Sequence, residues 1–177
     1  TMHAFFTGLQ AKAPALFQHT EPLIPLYDLI NRIRTCISVR GDILDNASEH
    51  LTDLRRQMRS LRENIIRSLE KYLNDVDLSF AVQDDFITLR NNRFVIPVRS
   101  DRKAAIPGVV HDQSQSKATF FVEPLAILEL NNSLQLSQRE AAHEEIRILT
   151  ELSSCVQQHE SAILTNLTIL EELDAIH

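Results

Sequence analysis

The 53 residues from Leu125 to His177 contain neither proline nor glycine. Apolar side chains recur along them at Leu125, Leu128, Leu134, Ile146, Leu149, Leu152, Val156, Ile163, Leu167, Leu170 and Leu173, at largely helical intervals. An unbroken helix over 124–177, rising about 1.5 Å per residue, is roughly 75 Å long. No compact domain built from 177 residues has that diameter. The expectation is a mainly α chain, a long antiparallel helical lever or coiled-coil arm, with Ser153-Ser154 or Asn166 as the place for a bend.

Two further helical patterns precede the arm. PLIPLYDLINRIRTCIS places apolar residues at 23, 26, 29, 30, 33 and 37 until Gly41 stops it. GDILDNASEH then supplies turn residues, with Asp45 or Ser48 as a helix cap. From Ser48, steps of three or four through Leu51, Leu54, Met58, Leu61, Ile65 and Leu69 predict an amphipathic helix of about seven turns. The period then changes. FITLR, Asn91-Asn92 and RFVIPV read as a β-hairpin, because asparagine tolerates the positive φ of a two-residue turn. Pro97 lacks an N–H, which predicts an edge or bulged strand. Short strands near 107–111 and 118–122 flank the turn composition DQSQSK. The chain therefore divides into an irregular or N-terminal helical segment 1–20, a helical core or lever segment 21–83, a small antiparallel β unit 84–123 and a long lever helix 124–177.

Composition narrows the chemistry. Residues 1–122 hold 16 Lys and Arg against 14 Asp and Glu, while residues 123–177 hold 2 against 10. A polyanion contact must come from the first two-thirds. Glycine stands only at 8, 41 and 108, so no phosphate-cradling GxxxxGK[ST] loop, GxGxxG or GxSxG motif exists. HExxH is absent too, and neither a catalytic nor a metal constellation is expected. Cys36 and Cys155 lack redox or metal spacing. No apolar run approaches the roughly 18 residues of a bilayer span, and no signal peptide is expected ahead of Thr1. A cytoplasmic setting without membrane contact is expected.

The candidate site residues are basic. Arg90, Arg93, Arg99, Arg102, Lys103 and Lys117 cluster in the β unit and form the expected nucleic-acid-binding set, with Arg93 and Lys117 at turn tips. Asp84, Asp85, Asp101, Asp112 and Glu123 leave that field only weakly positive. Arg55, Arg59 and Arg62 stand on one face of the second helix as a secondary stripe, where Asp53 and Glu63 favour ordinary pairing. His111, Asp112, Ser114 and Ser116 suggest a structural turn rather than a triad or ligand set, since adjacent strand residues face opposite ways. His143-Glu144-Glu145 reads as a solvated helical stretch.

The runs GDILDNAS, LRNNRFVIPVRSDRKAAIPGVVHDQSQSKATFFVEPLAILELNN and EIRILTELS resemble the second bacterial type of MutS protein, MutS-two. The matching positions are Arg90, Arg93, Phe94, Pro97, Val98, Gly108, His111, Asp112, Ser114, Ser116, Thr119, Glu123, Pro124, Asn131 and Asn132. The resemblance spans roughly residues 20–176. One position departs: the family usually has glycine where Lys117 stands, so either the turn differs here or Lys117 gains by pointing outward. The resemblance implies a homodimeric parent with helical core and lever segments, a clamp at the lever tip, an ATPase using ATP and Mg, and often an Smr nuclease. It implies action on branched or mismatched DNA, in recombination suppression and repair, or on stalled ribosomes in ribosome rescue. This chain is similar to the lever and clamp portion, which implies no catalysis, cofactor or small-molecule substrate of its own. A structural coiled-coil or interaction module is the alternative.

Overall fold

The computed structural model describes residues 14–176. Most of the 1–20 segment, expected to be irregular or helical, lies outside them. Helices α1 (Pro14–Thr20), α2 (Tyr27–Cys36) and α3 (Glu49–Leu73) come first. Strands β1 (Thr88–Arg90), β2 (Arg93–Arg99), β3 (Gly108–Gln113) and β4 (Thr119–Pro124) follow, with a 3₁₀ turn over Ser100–Ala105 between β2 and β3. A second 3₁₀ turn, Leu125–Ile127, leads into α4 (Leu128–Gln158) and α5 (Glu160–Ile176).

This is a mixed α and β architecture, not a mainly α lever. The arm expected over 124–177 is two helices, and neither Ser153-Ser154 nor Asn166 divides them. His159 does. Its ring Nδ1 takes the carbonyl of Cys155 at 2.8 Å, the acceptor that its own amide would use in an α-helix. The amide turns to Val156 O instead, at 3.0 Å. A side chain that competes for the i−4 carbonyl breaks the ladder. Nor does the expected apolar stripe run as one continuous seam: Leu134 and Leu152 are buried, while Leu125, Ile146, Leu149, Val156, Leu167 and Leu170 are exposed.

The described residues form two units, one of residues 14–48 with 145–176 and one of residues 49–144. The boundaries fall at 48/49 and 144/145, so the sheet shares a unit with α3 and the first half of α4.

In the first unit, Ser38–Asp42 forms a tight turn that needs the positive φ of Gly41 (91°) and brings Ile37 and Ile43 into a β-bridge. Asn166 on α5 pairs with the backbone of Ile24, accepting its N–H and donating to its carbonyl, both at 2.8 Å. Ile24 lies between two prolines, where no helix or strand ladder satisfies it.

In the second unit the sheet order is β1-β2-β4-β3, antiparallel throughout. Asn91 and Asn92 both have positive φ (52° and 60°), as the two-residue turn requires. Ile96, Val98 and Val122 pack on Ile65 and Leu69 of α3, on Ile127 of the second 3₁₀ turn and on Leu134 of α4. Burying each such side chain contributes about 1.5–3 kcal/mol.

Pro97 corrects one expectation. Its strand is interior, paired to β1 and to β4. The Pro97 carbonyl accepts from Gln83 N at 2.9 Å, and a strand residue's N and O share one side. The missing donor therefore faces away from β4, where only the single bridge Val82–Val98 lies.

Gly108 is fixed by close approach. A Cβ there would collide with the backbone oxygen of Glu123 and lie 2.7 Å from Val122 Cγ1. Gly108→Ala is expected to lower the denaturant midpoint, at a cost of about 1–3 kcal/mol, because the obstacle is backbone of the paired strand. Equilibrium urea unfolding measures this; an unchanged midpoint would contradict the packing.

Candidate nucleic-acid interface

One face of the sheet carries the polar chemistry. Side chains alternate along a strand, so Arg93, Val95, Pro97 and Arg99 of β2 share a face with Phe121 and Glu123 of β4. On β3 the register slips: Val110 pairs with Val122, but Asp112 pairs with Phe121, leaving His111 as an extra residue. This bulge brings His111 and Asp112 to the same face. Both had been expected in a turn, and on opposite faces; they lie in β3, and the bulge overrides the alternation. The carbonyl of His111 receives Asn91 Nδ2 from the hairpin tip at 3.3 Å.

Glu123 is the centre of that face. It is 0% exposed. Arg93 Nη1 donates to its Oε1 at 2.9 Å, and Asn131 Nδ2 donates to the same oxygen at 2.8 Å. His111 Nε2 donates to Oε2 at 2.5 Å. Arg93 Nη2 continues to Asn132 Oδ1 at 2.6 Å. Asn131, itself buried, also accepts the N–H of Phe94 at 3.2 Å and donates to its carbonyl at 3.1 Å. The β4 ladder has ended at that level, at Pro124. Asn131 therefore serves as one more rung. A buried carboxylate is tolerated only when paired and hydrogen-bonded, and three donors do so here.

These contacts divide the six expected basic residues. Arg93 is committed inward, its side chain 18% exposed and forked across Glu123, Asn132 and Gln135. Arg90 is held as well: its guanidinium lies 4.0 Å from the Phe121 ring centroid and meets Asp112 at 3.2 Å. Arg99, Arg102, Lys103 and Lys117 gather at the opposite end of β2, about 20 Å along the strand. Ser100 N donates to Ala118 O there, so the 3₁₀ turn and the β3–β4 turn adjoin. All four side chains are exposed. Within residues 99–103 and 114–119 the only carboxylate is Asp101, which meets Arg99 at 3.3 Å and Arg102 at 3.6 Å. Exposed pairs of that kind contribute about 0–1 kcal/mol and leave the cations available.

Lys117 resolves its departure from the expected glycine. It keeps the left-handed backbone, with φ 59°. Its N–H closes the turn to Ser114 O at 2.8 Å, and Ser114 Oγ accepts from Thr119 N at 3.1 Å and lies 3.2 Å from Ser116 Oγ. A lysine held where glycine is unstrained directs an ammonium group outward at a cost of about 1–2 kcal/mol.

The α3 stripe is less open. Arg56 pairs with Asp53 at 2.9 Å, neither Arg55 nor Arg59 lacks a partner, and Arg62 is exposed. Among the described residues no group of three or more His, Cys, Asp or Glu is placed to hold a metal ion. No described helix is long and apolar enough to cross a membrane. Sequence reasoning missed the hub itself. A glutamate following Phe120-Phe121-Val122 in a strand signals a buried partner, but that partner lies 30 residues away on β2.

No protein-family model matches the chain. Relatives do. It is 40% identical over 167 residues to "Endonuclease MutS2" of Halalkalibacterium halodurans, covering 94% of this chain and 21% of that protein. It is 40% identical over 163 residues to "Putative endonuclease MutS2" of Bacillus subtilis, covering 92% and 21%. With "Endonuclease MutS2" of Pelotomaculum thermopropionicum it shares 35% identity over 176 residues, covering 99% and 22%. The chain thus spans about a fifth of the length of the curated relatives it matches.

Glu123→Gln is expected to destabilise the fold by about 3 kcal/mol, since it strands the charge of Arg93. Arg93→Met added to it should cost less than the sum of the two single changes. A urea-unfolding double-mutant cycle reads both, and strict additivity would remove Glu123 from the centre.

Proposed function

We propose that this chain, which belongs to the MutS2 family along nearly its whole length, holds DNA through its phosphates and does so without reading sequence. The observation that carries this is the group Arg99, Arg102, Lys103 and Lys117, four exposed cations against the single carboxylate of Asp101. Phosphate contacts confer affinity and position but carry no base information. The relatives are named as endonucleases, which makes a nucleic acid the expected polymer. Branched or mismatched DNA suits a holding surface on a protein of this kind, in repair and in limiting recombination.

Arg90 and Arg93 have a different part in this reading. Their guanidiniums fasten the face behind the cationic end, and a phosphate would have to displace carboxylates to reach them. Of the four outer cations, only Arg99 and Arg102 meet a carboxylate among the described residues, and that one, Asp101, is exposed. Lys117 is the most telling, because its backbone conformation favours glycine and its side chain earns no visible internal contact.

Two measurements test the reading. The chain is expected to bind labelled duplex and junction DNA at low salt, with log K falling against log [salt] at a slope of about −3.6 if all four cations meet duplex phosphates. Reversing Arg99, Arg102, Lys103 and Lys117 to glutamate should abolish binding, whereas reversing Arg55, Arg59 and Arg62 should weaken it far less. Equal binding by parent and fourfold variant in fluorescence anisotropy would refute the assignment. A ribosomal RNA duplex in the same assay shows whether DNA is preferred. Separately, Lys117→Gly should raise stability by up to about 1 kcal/mol while reducing the salt slope by about one. A gain in stability with no loss of affinity would leave Lys117 without a role.

A further inference from the structure

Phe80 is 52% exposed, in a chain with no tryptophan and only eight phenylalanines. It does not sit on a loose loop. Leu78 N donates to Asp75 O at 3.1 Å, Ser79 Oγ to Val76 O at 2.8 Å and Ala81 N to Leu78 O at 2.9 Å. Ala81 is fully buried, and its carbonyl accepts Arg99 N at 2.8 Å. The residue next to the ring is thus pinned to the cationic end of β2. From there Ser100 N reaches Ala118 O. Phe80, Arg99 and Lys117 therefore ride on three successive hydrogen-bonded backbone segments, each one residue from a junction.

A cation also stands over the ring. The Arg102 guanidinium lies 5.6 Å from its centroid, with its side chain 57% exposed. Lys103, on the same 3₁₀ turn as Arg102, places its Nζ 5.3 Å from the ring centroid of Phe120 in β4. The open half of Phe80 is a flat apolar surface beside the Arg102 guanidinium, a charge that attracts phosphate. A nucleobase has a matching flat face, and a base in an intact duplex has already spent both faces on its neighbours. An unpaired base has not.

We infer that Phe80, with Arg102 beside it, is a stacking site for an unpaired nucleobase, so that the surface favours single-stranded DNA segments over continuous duplex. Aromatic stacking of this kind tolerates any base, because every base has a π-face, and so agrees with holding without sequence readout. The inference rests on the phosphate-holding reading above and names its substrate class. The carboxylates of the same turn give the strand a direction. Asp75 Oδ1 accepts the N–H of Asp77, and both residues are exposed. Their charge repels phosphate, so the backbone runs from Phe80 toward Arg99 and Lys117 rather than over residues 75–77.

The absence of native tryptophan supplies the test. Phe80→Trp introduces the only indole of the chain. At low salt its emission should be quenched by a single-stranded oligodeoxynucleotide of mixed sequence and not by the blunt duplex of that sequence. Phe80→Leu keeps the apolar volume and loses the flat ring. It is expected to bind the single strand about tenfold more weakly, with duplex affinity and thermal midpoint unchanged. Equal quenching by both DNAs, or single-strand affinity unaffected in Phe80→Leu, overturns the stacking site. If in that case the fourfold charge reversal still abolishes binding, the phosphate reading stands alone. If the parent binds neither DNA at low salt, both readings fall.

Discussion

The carboxylate of Glu123 is the constraint on which the second unit depends. It is fully buried, and its three donors come from three different elements: Arg93 from β2, His111 from β3 and Asn131 from α4. None of the three is its neighbour in sequence. Removing the carboxylate from water is tolerable only if all three arrive, which makes the strand register, the bulge at His111 and the docking of α4 conditions of one another. The bulge is what lets His111 and Asp112 share a face, so that His111 meets Glu123 while Asp112 anchors Arg90 across Phe121.

A division of labour among the basic side chains follows. Arginine and lysine look alike in a linear count of charge. In the fold, Arg90 and Arg93 are structural cations, held by carboxylates on the inner part of the face. The remaining four stand at the far end of β2, beside the one backbone position where a lysine occupies a left-handed conformation. Because the 3₁₀ turn over Ser100–Ala105 and the β3–β4 turn are joined by a backbone hydrogen bond, those four belong to one local surface rather than to two independent loops.

The local features were the legible ones. The alternation around Asn91-Asn92 encodes a hairpin because both asparagines accept positive φ, and the three- and four-residue steps from Leu51 to Leu69 encode α3. Features that depend on partners distant in sequence were not legible. Nothing in residues 125–177 announces that His159 will compete with its own backbone for Cys155 O, since the residue is unremarkable in a helix. Nor does the period of the apolar stripe say where the helix will end, so two helices beside a four-stranded sheet were mistaken for one lever. Pro97 misled for a related reason: its cost depends on which side of the strand its nitrogen faces, and that is fixed by the Gln83 contact. At the candidate site, charge singled out six residues but could not distinguish a guanidinium that faces a carboxylate, as Arg93 does, from one that faces solvent.

Asn131 and Asn166 seat their helices on non-helical chain by the same means. Each presents its amide to the main chain of one residue, Phe94 or Ile24, and mimics a strand partner with two reciprocal bonds. Recognition of that sort is blind to the side chain of the residue recognised. All the discrimination falls on the asparagine. Aspartate lacks the donor and glutamine sets the amide one methylene too far out, so the most conservative replacements fail at positions 131 and 166, while for this contact positions 94 and 24 answer only to the packing around them.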